Sequence, residues 1–84
     1  MAYSYPLNFT IRYNANGGSG SMADTSISYY GSGNLRTNSF SKTGYIFAGW
    51  SLSQNGNISL SNGQEVSAST VGASAGQVVN IYAQ

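Results

Sequence analysis

Apolar and polar side chains alternate along the beginning of the chain. Apolar residues stand at every second position from Leu7 to Tyr13, and polar residues stand between them. This two-residue period predicts a first strand, starting near Tyr5, that has one buried face. The same period predicts a second strand from Thr25 to Tyr30, with Ile27 and Tyr29 on one face.

Further apolar segments occur in the second half of the chain. The run "GYIFAGW", Gly44 to Trp50, is short and rich in aromatic and β-branched residues, so it predicts a third strand. Gln77 to Ala83 predicts the last strand, and apolar residues on both of its faces indicate a central position in the sheet. A short helical turn is expected near Ser39 to Thr43, and a weak strand or a turn of helix at Glu65 to Val71. Because no stretch has an apolar stripe of period 3.6, we predict a mainly β fold, α+β at most, with at most one short helix.

Glycine-rich segments interrupt these patterns and predict frequent chain reversals. Three Asn-Gly pairs occur, at Asn16-Gly17, Asn55-Gly56 and Asn62-Gly63. Each pair predicts a turn, because both residue types tolerate a positive φ. We therefore expect Asn16-Gly17 to reverse the chain between the first two strands, and residues 51–64 to form a loop or an irregular hairpin.

The stretch "YNANGGSGSM", Tyr13 to Met22, allows two interpretations. Backbone N–H groups of a glycine-rich turn after a strand can bind a phosphate. A phosphate loop, however, also needs Gly-Lys-Ser/Thr at the start of a helix, and a dinucleotide site needs G-x-G-x-x-G with a downstream acid. Neither pattern occurs at Gly17, Gly18 and Gly20. We therefore interpret the stretch as a structural turn.

The length and composition limit the size of the domain and the forces that stabilise it. With 84 residues there is room for one small domain, predicted to span residues 1–84 with a core from about residue 7 to residue 84. No Cys is present, so disulfides and thiolate metal sites are excluded and packing must supply the stability. Hydrophobic residues make up 40% of the chain, which is too many for a disordered segment.

Electrostatic attraction is not expected to guide this chain to a partner. Only 6% of its residues are charged, and the formal net charge is +1. Without a basic patch, we expect no nucleic-acid partner. No apolar run approaches the ~20 residues of a membrane span, and no charged-then-apolar leader occurs. The chain is therefore expected to be cytosolic or a fragment of a larger exported protein.

The sequence lacks the side chains that most catalytic sites need. It contains no His and no Cys, so the usual general base and thiol nucleophile are absent. Asp24 and Glu65 are its only carboxylates, and nothing in the sequence places them together for glycoside hydrolysis or metal binding. We therefore expect a protein that is not an enzyme and that uses no cofactor or metal.

Five motifs follow one another from Leu7 to Gln84: "FTIRYNANGGSGSM", "YYGSGN", "NSFSKTGYIFAGWS", "NGNISLSNGQEV" and "VNIYAQ". Their order resembles the Listeria-Bacteroides repeat family, the internalin-type B-repeat. That pattern consists of a strand ending in Asn-Gly-Gly, a Thr-Gly-Tyr-x-Phe-x-Gly-Trp core and a closing Leu-Tyr-Ala-x-Trp. The matching residues here are Asn16, Gly17, Gly18, Thr43, Gly44, Tyr45, Phe47, Gly49, Trp50, Ile81, Tyr82 and Ala83.

The resemblance implies a fold and a biological setting. It implies a β-grasp-like twisted sheet with the first and last strands adjacent. It also implies an extracellular module of a bacterial cell-surface or secreted protein, acting as a spacer or protein-interaction domain in adhesion. Its partners would be neighbouring repeats and an unknown protein or glycan, and the isolated module would be a monomer. The sequence departs from the pattern in ending at Gln84, one residue before the usual closing Trp.

The aromatic residues of the third motif are expected to lie in the core. A Trp within an apolar run of a small cysteine-free domain is more often a core residue than a sugar-stacking platform. Trp50 is therefore assigned to the core, together with Tyr45 and Phe47. Gly44 and Gly49 are expected where the backbone bends or where another strand packs too closely for a side chain.

Tyr29 and Tyr30 are the candidate contact residues. Neighbouring strand residues point to opposite faces, so at least one of these two rings is expected to be exposed. An exposed Tyr suits a contact surface because it buries a large area at low entropic cost. An alternative function is a carbohydrate-binding module that uses Trp50, Tyr29 or Tyr30 as a stacking face.

Overall fold

Two β-sheets and one short helix make up the regular structure of the computed structural model, which describes residues 7–84. The elements are β1 (Asn8–Asn14), β2 (Thr25–Ser28), β3 (Ser32–Asn34), β4 (Trp50–Ser51), β5 (Glu65–Ser67), α1 (Ala68–Val71) and β6 (Val78–Ala83). The predicted mainly β fold with one short helix is confirmed. Tyr5, where the first strand was expected to begin, lies outside the described residues.

The larger sheet has the strand order β2-β1-β6-β4. The first and last strands are parallel neighbours at its centre, in a register that runs from Thr10 opposite Val78 to Asn14 opposite Tyr82. β2 pairs antiparallel with β1, and β4 pairs antiparallel with β6. The adjacency expected from the β-grasp-like resemblance is therefore confirmed, as is the central position of the last strand.

The core lies on one face of this sheet. Alternate residues of β1 and β6 point into it and stand side by side, because Ile11 pairs with Val79 and Tyr13 with Ile81. The buried apolar residues of the described chain are Phe9, Ile11, Tyr13, Ile27, Leu35, Trp50, Leu60, Val66, Ala68, Val71, Ala73, Val79 and Ile81. The two-residue period of the sequence thus identified the buried face of β1 correctly.

The hydroxyl of the buried Tyr13 side chain has hydrogen-bond partners. Its hydroxyl lies 2.8 Å from Oγ1 of Thr25 in β2 and accepts a hydrogen bond of 2.8 Å from the backbone N–H of Arg36. A buried Tyr usually needs such partners, since an unpaired hydroxyl in the core would cost free energy. These bonds attach the residue that follows the buried Leu35 to the central sheet.

The smaller sheet pairs β3 antiparallel with β5, and α1 follows β5 directly. The sequence predicts either a weak strand or a turn of helix from Glu65 to Val71, and the segment contains both. The Oγ1 of Thr70 accepts a hydrogen bond of 3.0 Å from the N–H of Ser67, the residue before the helix. Gly72 then ends the helix with a φ of 68°, a left-handed conformation that glycine adopts without strain.

Three predicted elements differ from the structure. The second strand ends at Ser28, and a turn follows in which Gly31 donates to the Ser28 carbonyl at 3.1 Å. The helical turn predicted near Ser39 to Thr43 is wrong, because Ser41 exchanges two backbone hydrogen bonds with Ser19 in an antiparallel bridge. The third strand is reduced to Trp50–Ser51.

Candidate functional site

Trp50 is the centre of an aromatic cluster within the core. Its side chain is fully buried. The ring centroids of Tyr13, Phe40 and Phe47 lie 5.2, 6.0 and 5.0 Å from that of Trp50, in tilted or edge-to-face orientations, which are the favoured geometries for aromatic pairs. The core assignment of Trp50 is therefore confirmed, and its alternative use as a sugar-stacking face is wrong, because no ring face is accessible.

The segment before Trp50 leaves the sheet instead of continuing it. The Ala48 N–H donates to the Gln84 carbonyl at 2.8 Å, and the Gln84 N–H donates to the Gly49 carbonyl at 3.0 Å. Ala48 and Gly49 together thus stand opposite the single residue Gln84. This arrangement is a β-bulge, which bends a strand and interrupts its ladder of backbone hydrogen bonds. This bulge is the physical reason why the predicted strand from Gly44 to Trp50 does not form.

The bulge separates the two aromatic residues that were both expected in the core. Phe47 is half-buried and packs against the core, so its assignment is confirmed. Tyr45 is 70% exposed and Ile46 is 92% exposed, so the core assignment of Tyr45 is wrong. The ammonium group of Lys42 lies 4.4 Å from the centroid of the Tyr45 ring, a cation–π contact at the surface.

Gly44 and Gly49 show the two features predicted for glycine in this motif, a backbone bend and a close approach of another segment. Gly44 has a φ of 83° and open space around it, and it forms the turn in which the Tyr45 N–H donates to the Lys42 carbonyl at 3.0 Å. A Cβ on Gly49 would lie 2.6 Å from Cγ2 of Ile58 and 2.9 Å from the Leu60 carbonyl oxygen. Gly44 is thus a bend, and Gly49 is a place of close approach.

Asn16 and Gly17 form a tight turn at the end of β1. Their φ angles are 53° and 91°, and the Gly18 N–H closes the turn on the Ala15 carbonyl at 3.1 Å. Positive φ at both central residues is typical of a type I′ turn and favours the Asn-Gly pair. The predicted structural turn is confirmed, although β1 and β2 are joined by the longer connection of residues 15–24.

The side chain of Asn16 also holds two distant segments. Its Nδ2 donates to the Gln54 carbonyl at 3.0 Å and to the Ala83 carbonyl at 2.9 Å. Nε2 of Gln84 donates to the same Gln54 carbonyl at 2.9 Å. We call Asn16, Gln54, Ala83 and Gln84 the Asn16 network. Sequence reasoning missed it, since no local signal relates residues that are 67 positions apart.

The two glycines after Asn16 are needed for different reasons. Gly17 has the positive φ described above, whereas Gly18 does not. A Cβ on Gly18 would instead lie 2.9 Å from the Ser41 carbonyl oxygen. The fold also brings the Lys42 side chain to this loop, with Nζ 3.5 Å from where a Gly17 Cβ would lie. The chain continues there as an extended bridge and not as a helix, so the loop lacks the helix N-terminus of a phosphate site.

An open groove of about 470 Å³ lies beside this loop. Its lining includes Phe40, Lys42, Tyr45, Ile46, Phe47 and Gln84, and we call it the Tyr45 groove. Most amide donors on its rim are already used, because Asn16 and Gln84 each donate two hydrogen bonds and Nδ2 of Asn38 donates one, to the Phe40 carbonyl at 3.0 Å. The groove therefore offers mainly apolar surface together with the amine of Lys42.

Tyr29 and Tyr30 lie in the turn that follows β2. Tyr30 is 81% exposed, whereas Tyr29 is half-buried and packs against the core. Their rings make an edge-to-face contact with centroids 5.1 Å apart. The expectation that at least one of the two rings is exposed is confirmed. A shallow groove of about 520 Å³ adjoins them, lined by Tyr29, Tyr30, Gly31, Ser67, Ala68, Ser69, Gly72 and Ala73, which we call the Tyr30 groove.

The ionisable side chains do not form a reactive cluster within residues 7–84. Asp24 pairs with Arg12 at 3.1 Å on the surface, and the hydrogen bond and charge of Asp24 raise the pKa of the Arg12 guanidinium. Glu65 accepts a hydrogen bond from the Ser32 hydroxyl at 3.0 Å. In this part of the chain, no group of three or more metal-ligating side chains was found. No helix there is long and apolar enough to cross a membrane.

Tyr82, the last aromatic residue of the motif pattern, lies in the middle of the larger sheet. It is half-buried and stands between Asn14 of β1 and Ser51 of β4. Its backbone therefore joins the central parallel pair of strands to β4. This position supports the structural role expected from the resemblance.

These features describe a small, mainly β module with an aromatic core, glycine-dependent turns and two surface grooves. The model of the Listeria-Bacteroides repeat domain matches residues 9–73, a segment that includes the Asn16 turn and the motif from Thr43 to Trp50. The chain belongs to the Listeria-Bacteroides repeat family. Neither the curated proteins nor the solved structures compared with the chain gave a match.

Proposed function

We propose that this chain is a non-catalytic module of a larger bacterial cell-surface or secreted protein, where it acts as a spacer or protein-interaction domain in adhesion. Membership of the repeat family and the absence of His and Cys from the sequence support this proposal. The observation that carries the interaction role is the exposure of two neighbouring apolar side chains in the Tyr45 groove, Tyr45 at 70% and Ile46 at 92%. Contiguous exposed apolar side chains mark contact surfaces more often than isolated ones do.

A neighbouring copy of the module is the partner that can be tested most directly. The Tyr45 groove has apolar walls and few free hydrogen-bond donors, which suits a protein surface better than a sugar. A chain with two copies joined head to tail should be compared with the single chain by calorimetry. If the copies contact each other through this groove, the double substitution Tyr45→Ser and Ile46→Ser lowers the melting temperature of the joined copies and leaves that of the single chain unchanged.

The outcomes separate a spacer from an interaction domain. Two copies that melt at the temperature of one copy, with or without the substitutions, indicate a spacer whose repeats do not interact. The proposed location at the cell surface or in the medium is tested separately, on intact cells of the parent bacterium. Antibodies against this module should label intact cells or the culture medium, and labelling only after permeabilisation would contradict the surface assignment.

A second candidate function is the binding of a neutral glycan in the Tyr30 groove. The specific observation is that its lining contains an exposed aromatic ring and the hydroxyls of Ser67 and Ser69, and no charged side chain. A sugar ring stacks on such an exposed Tyr face. The Oγ atoms of Ser67 and Ser69 lie 3.1 Å apart, within hydrogen-bond distance, and a hydroxyl oxygen with two lone pairs can still accept a hydrogen bond from a sugar. NMR titration with neutral oligosaccharides should shift Tyr30, and Tyr30→Ser should abolish the shifts. Unchanged spectra across the oligosaccharides would remove this candidate.

A further inference from the structure

We propose that Asn55 is a site of spontaneous deamidation and that the fold protects the identical Asn-Gly pair at Asn16. An Asn followed by Gly is open to this reaction because glycine has no side chain to hinder attack by its backbone nitrogen. The three Asn-Gly pairs of the sequence are chemically equal in an unfolded chain. Any difference among them must therefore come from the folded structure.

The reaction proceeds in two steps and needs only water as co-reactant. The Gly56 backbone nitrogen loses its proton to solvent base and attacks Cγ of Asn55. A new N–C bond closes a succinimide ring, and the side-chain amide nitrogen leaves as ammonia. Water then adds to one of the two ring carbonyls, and that C–N bond breaks to give aspartate or isoaspartate. The product carries one new carboxylate, so the formal net charge of the chain falls from +1 to zero.

The folded structure restrains the three side chains to different degrees. Asn16 is held in the left-handed conformation and donates the two hydrogen bonds of the Asn16 network. Oδ1 of Asn62 accepts a hydrogen bond of 2.8 Å from the Asn38 N–H. Asn55 is exposed, and no hydrogen bond holds its side chain within residues 7–84. The expected order of reactivity is therefore Asn55, then Asn62, then Asn16.

The backbone around Asn55 also opens more easily than that around Asn16. One hydrogen bond must break first, because the Gly56 N–H donates to the Ser53 carbonyl at 3.1 Å. This bond lies in an exposed turn without regular secondary structure between Ser53 and Gly56, and such segments open at low cost. Asn16 lies two residues beyond the central strand β1 and is bonded to Ala83 at the end of β6, so its reaction requires a much larger opening.

Isoaspartate at residue 55 would affect the Asn16 network. The residue before it, Gln54, provides the carbonyl that accepts hydrogen bonds from both Asn16 and Gln84. Isoaspartate adds one methylene to the backbone and displaces this carbonyl, whereas aspartate leaves the backbone length unchanged. We therefore expect the isoaspartyl form to melt at a lower temperature than the unmodified chain, and Asn55→Asp to melt at the same temperature.

The test is to incubate the folded chain in mildly alkaline buffer and to follow each pair by peptide mass spectrometry. Isoaspartate is labelled with an isoaspartyl methyltransferase. Relative to the same chain in denaturant, Asn55 should react at a similar rate, and Asn16 should be slowed by about a hundredfold or more, because its reaction needs a large opening. Faster conversion of Asn16 or Asn62 than of Asn55 in the folded chain would overturn the proposal.

Two variants serve as matched controls. Asn55→Gln keeps an amide side chain but disfavours ring closure, so conversion at residue 55 should stop. Gly56→Ala places a methyl group beside the attacking nitrogen and should slow the reaction. At Gly56 φ is not positive, and the nearest obstacle to a Cβ is the movable hydroxyl of Ser53, so this variant should fold normally. Cooperative melting of both variants confirms that the rates refer to folded protein.

Discussion

Asn16 combines a backbone role with a side-chain role, and substitutions can separate the two. Asn16→Gly removes both hydrogen bonds of the side chain while keeping a residue that tolerates the φ of 53°. Asn16→Ala removes the same bonds and also places a Cβ-bearing residue with no polar group in the left-handed region. Asn16→Asp keeps the shape of the side chain but replaces the donating amide by a carboxylate.

The expected magnitudes follow from the two contacts of 3.0 and 2.9 Å. A typical net contribution of about 0.5–1.5 kcal/mol per hydrogen bond gives a loss of about 2 kcal/mol for Asn16→Gly. Asn16→Ala should lose about 1 kcal/mol more, because the left-handed conformation costs an L-residue roughly 1–2 kcal/mol. A domain of this size has a total stability of about 4–13 kcal/mol, so each change is easily measured.

Asn16→Asp should show a dependence on pH that the other two variants lack. Its carboxylate would face two carbonyl oxygens, which disfavours the charged form and raises the folded-state pKa above the unfolded value. The native state then binds a proton more readily than the unfolded state, so stability falls as pH rises through these pKa values. The variant should therefore be least stable at neutral pH and should recover at acidic pH, where the protonated carboxyl can donate a hydrogen bond.

Urea unfolding followed by the fluorescence of the buried Trp50 measures these differences. At about 4–8 °C per kcal/mol, Asn16→Gly should also melt about 8–16 °C below the unmodified chain. Equal stability of Asn16→Gly and the unmodified chain would refute the role of the side chain. Equal stability of the Gly and Ala variants would refute the cost assigned to the left-handed conformation.

Three further predictions concern the core and the glycines. Trp50→Ala should lower the free energy of unfolding by about 3–5 kcal/mol, a cost typical of deleting a large buried aromatic side chain. Urea unfolding followed by circular dichroism measures this change, and a loss below about 1 kcal/mol would contradict the central position of Trp50 in the core. Gly49→Ala should be about 1–3 kcal/mol less stable than the control Gly44→Ala, because both positions have positive φ but only Gly49 lacks space for a Cβ. Gly17→Val should lower the melting temperature because it forces Val to a positive φ, and Gly18→Val should lower it because the new side chain meets the Ser41 carbonyl oxygen. Calorimetry measures both, and an unchanged melting temperature of either variant would contradict the reason given for that variant.

The first and last strands were predictable because their sequences show burial directly. Alternation in β1 marks its one buried face. Apolar residues on both faces of β6 predict its central position correctly, although only the face with Val79 and Ile81 is fully buried and Val78 is 40% exposed. Turn positions were predictable for a similar local reason, since Asn-Gly pairs tolerate the backbone angles that tight turns need. These signals depend only on residues close to one another in the chain.

The segment from Gly44 to Trp50 shows where such reasoning fails. Its composition predicts a buried strand, but the ladder stops at the bulge formed by Ala48 and Gly49 against Gln84. The position of Gln84 depends on β6 pairing with β1, which no pattern within the segment can report. Tyr45 consequently becomes exposed while Phe47 packs on Trp50, although both belong to one apolar run.

The sequence by itself determined the mainly β class, the buried face of β1, the central place of β6, the main turns and the family. Each of these depends on local periodicity, on local backbone preference or on motif order. Only the tertiary structure decided which aromatic side chains are exposed, why Gly18 and Gly49 lack room for a side chain, and that Asn16 joins the loop at Gln54 to the end of β6. These outcomes depend on contacts between segments far apart in the chain, such as Asn16 and Ala83, which are 67 positions apart.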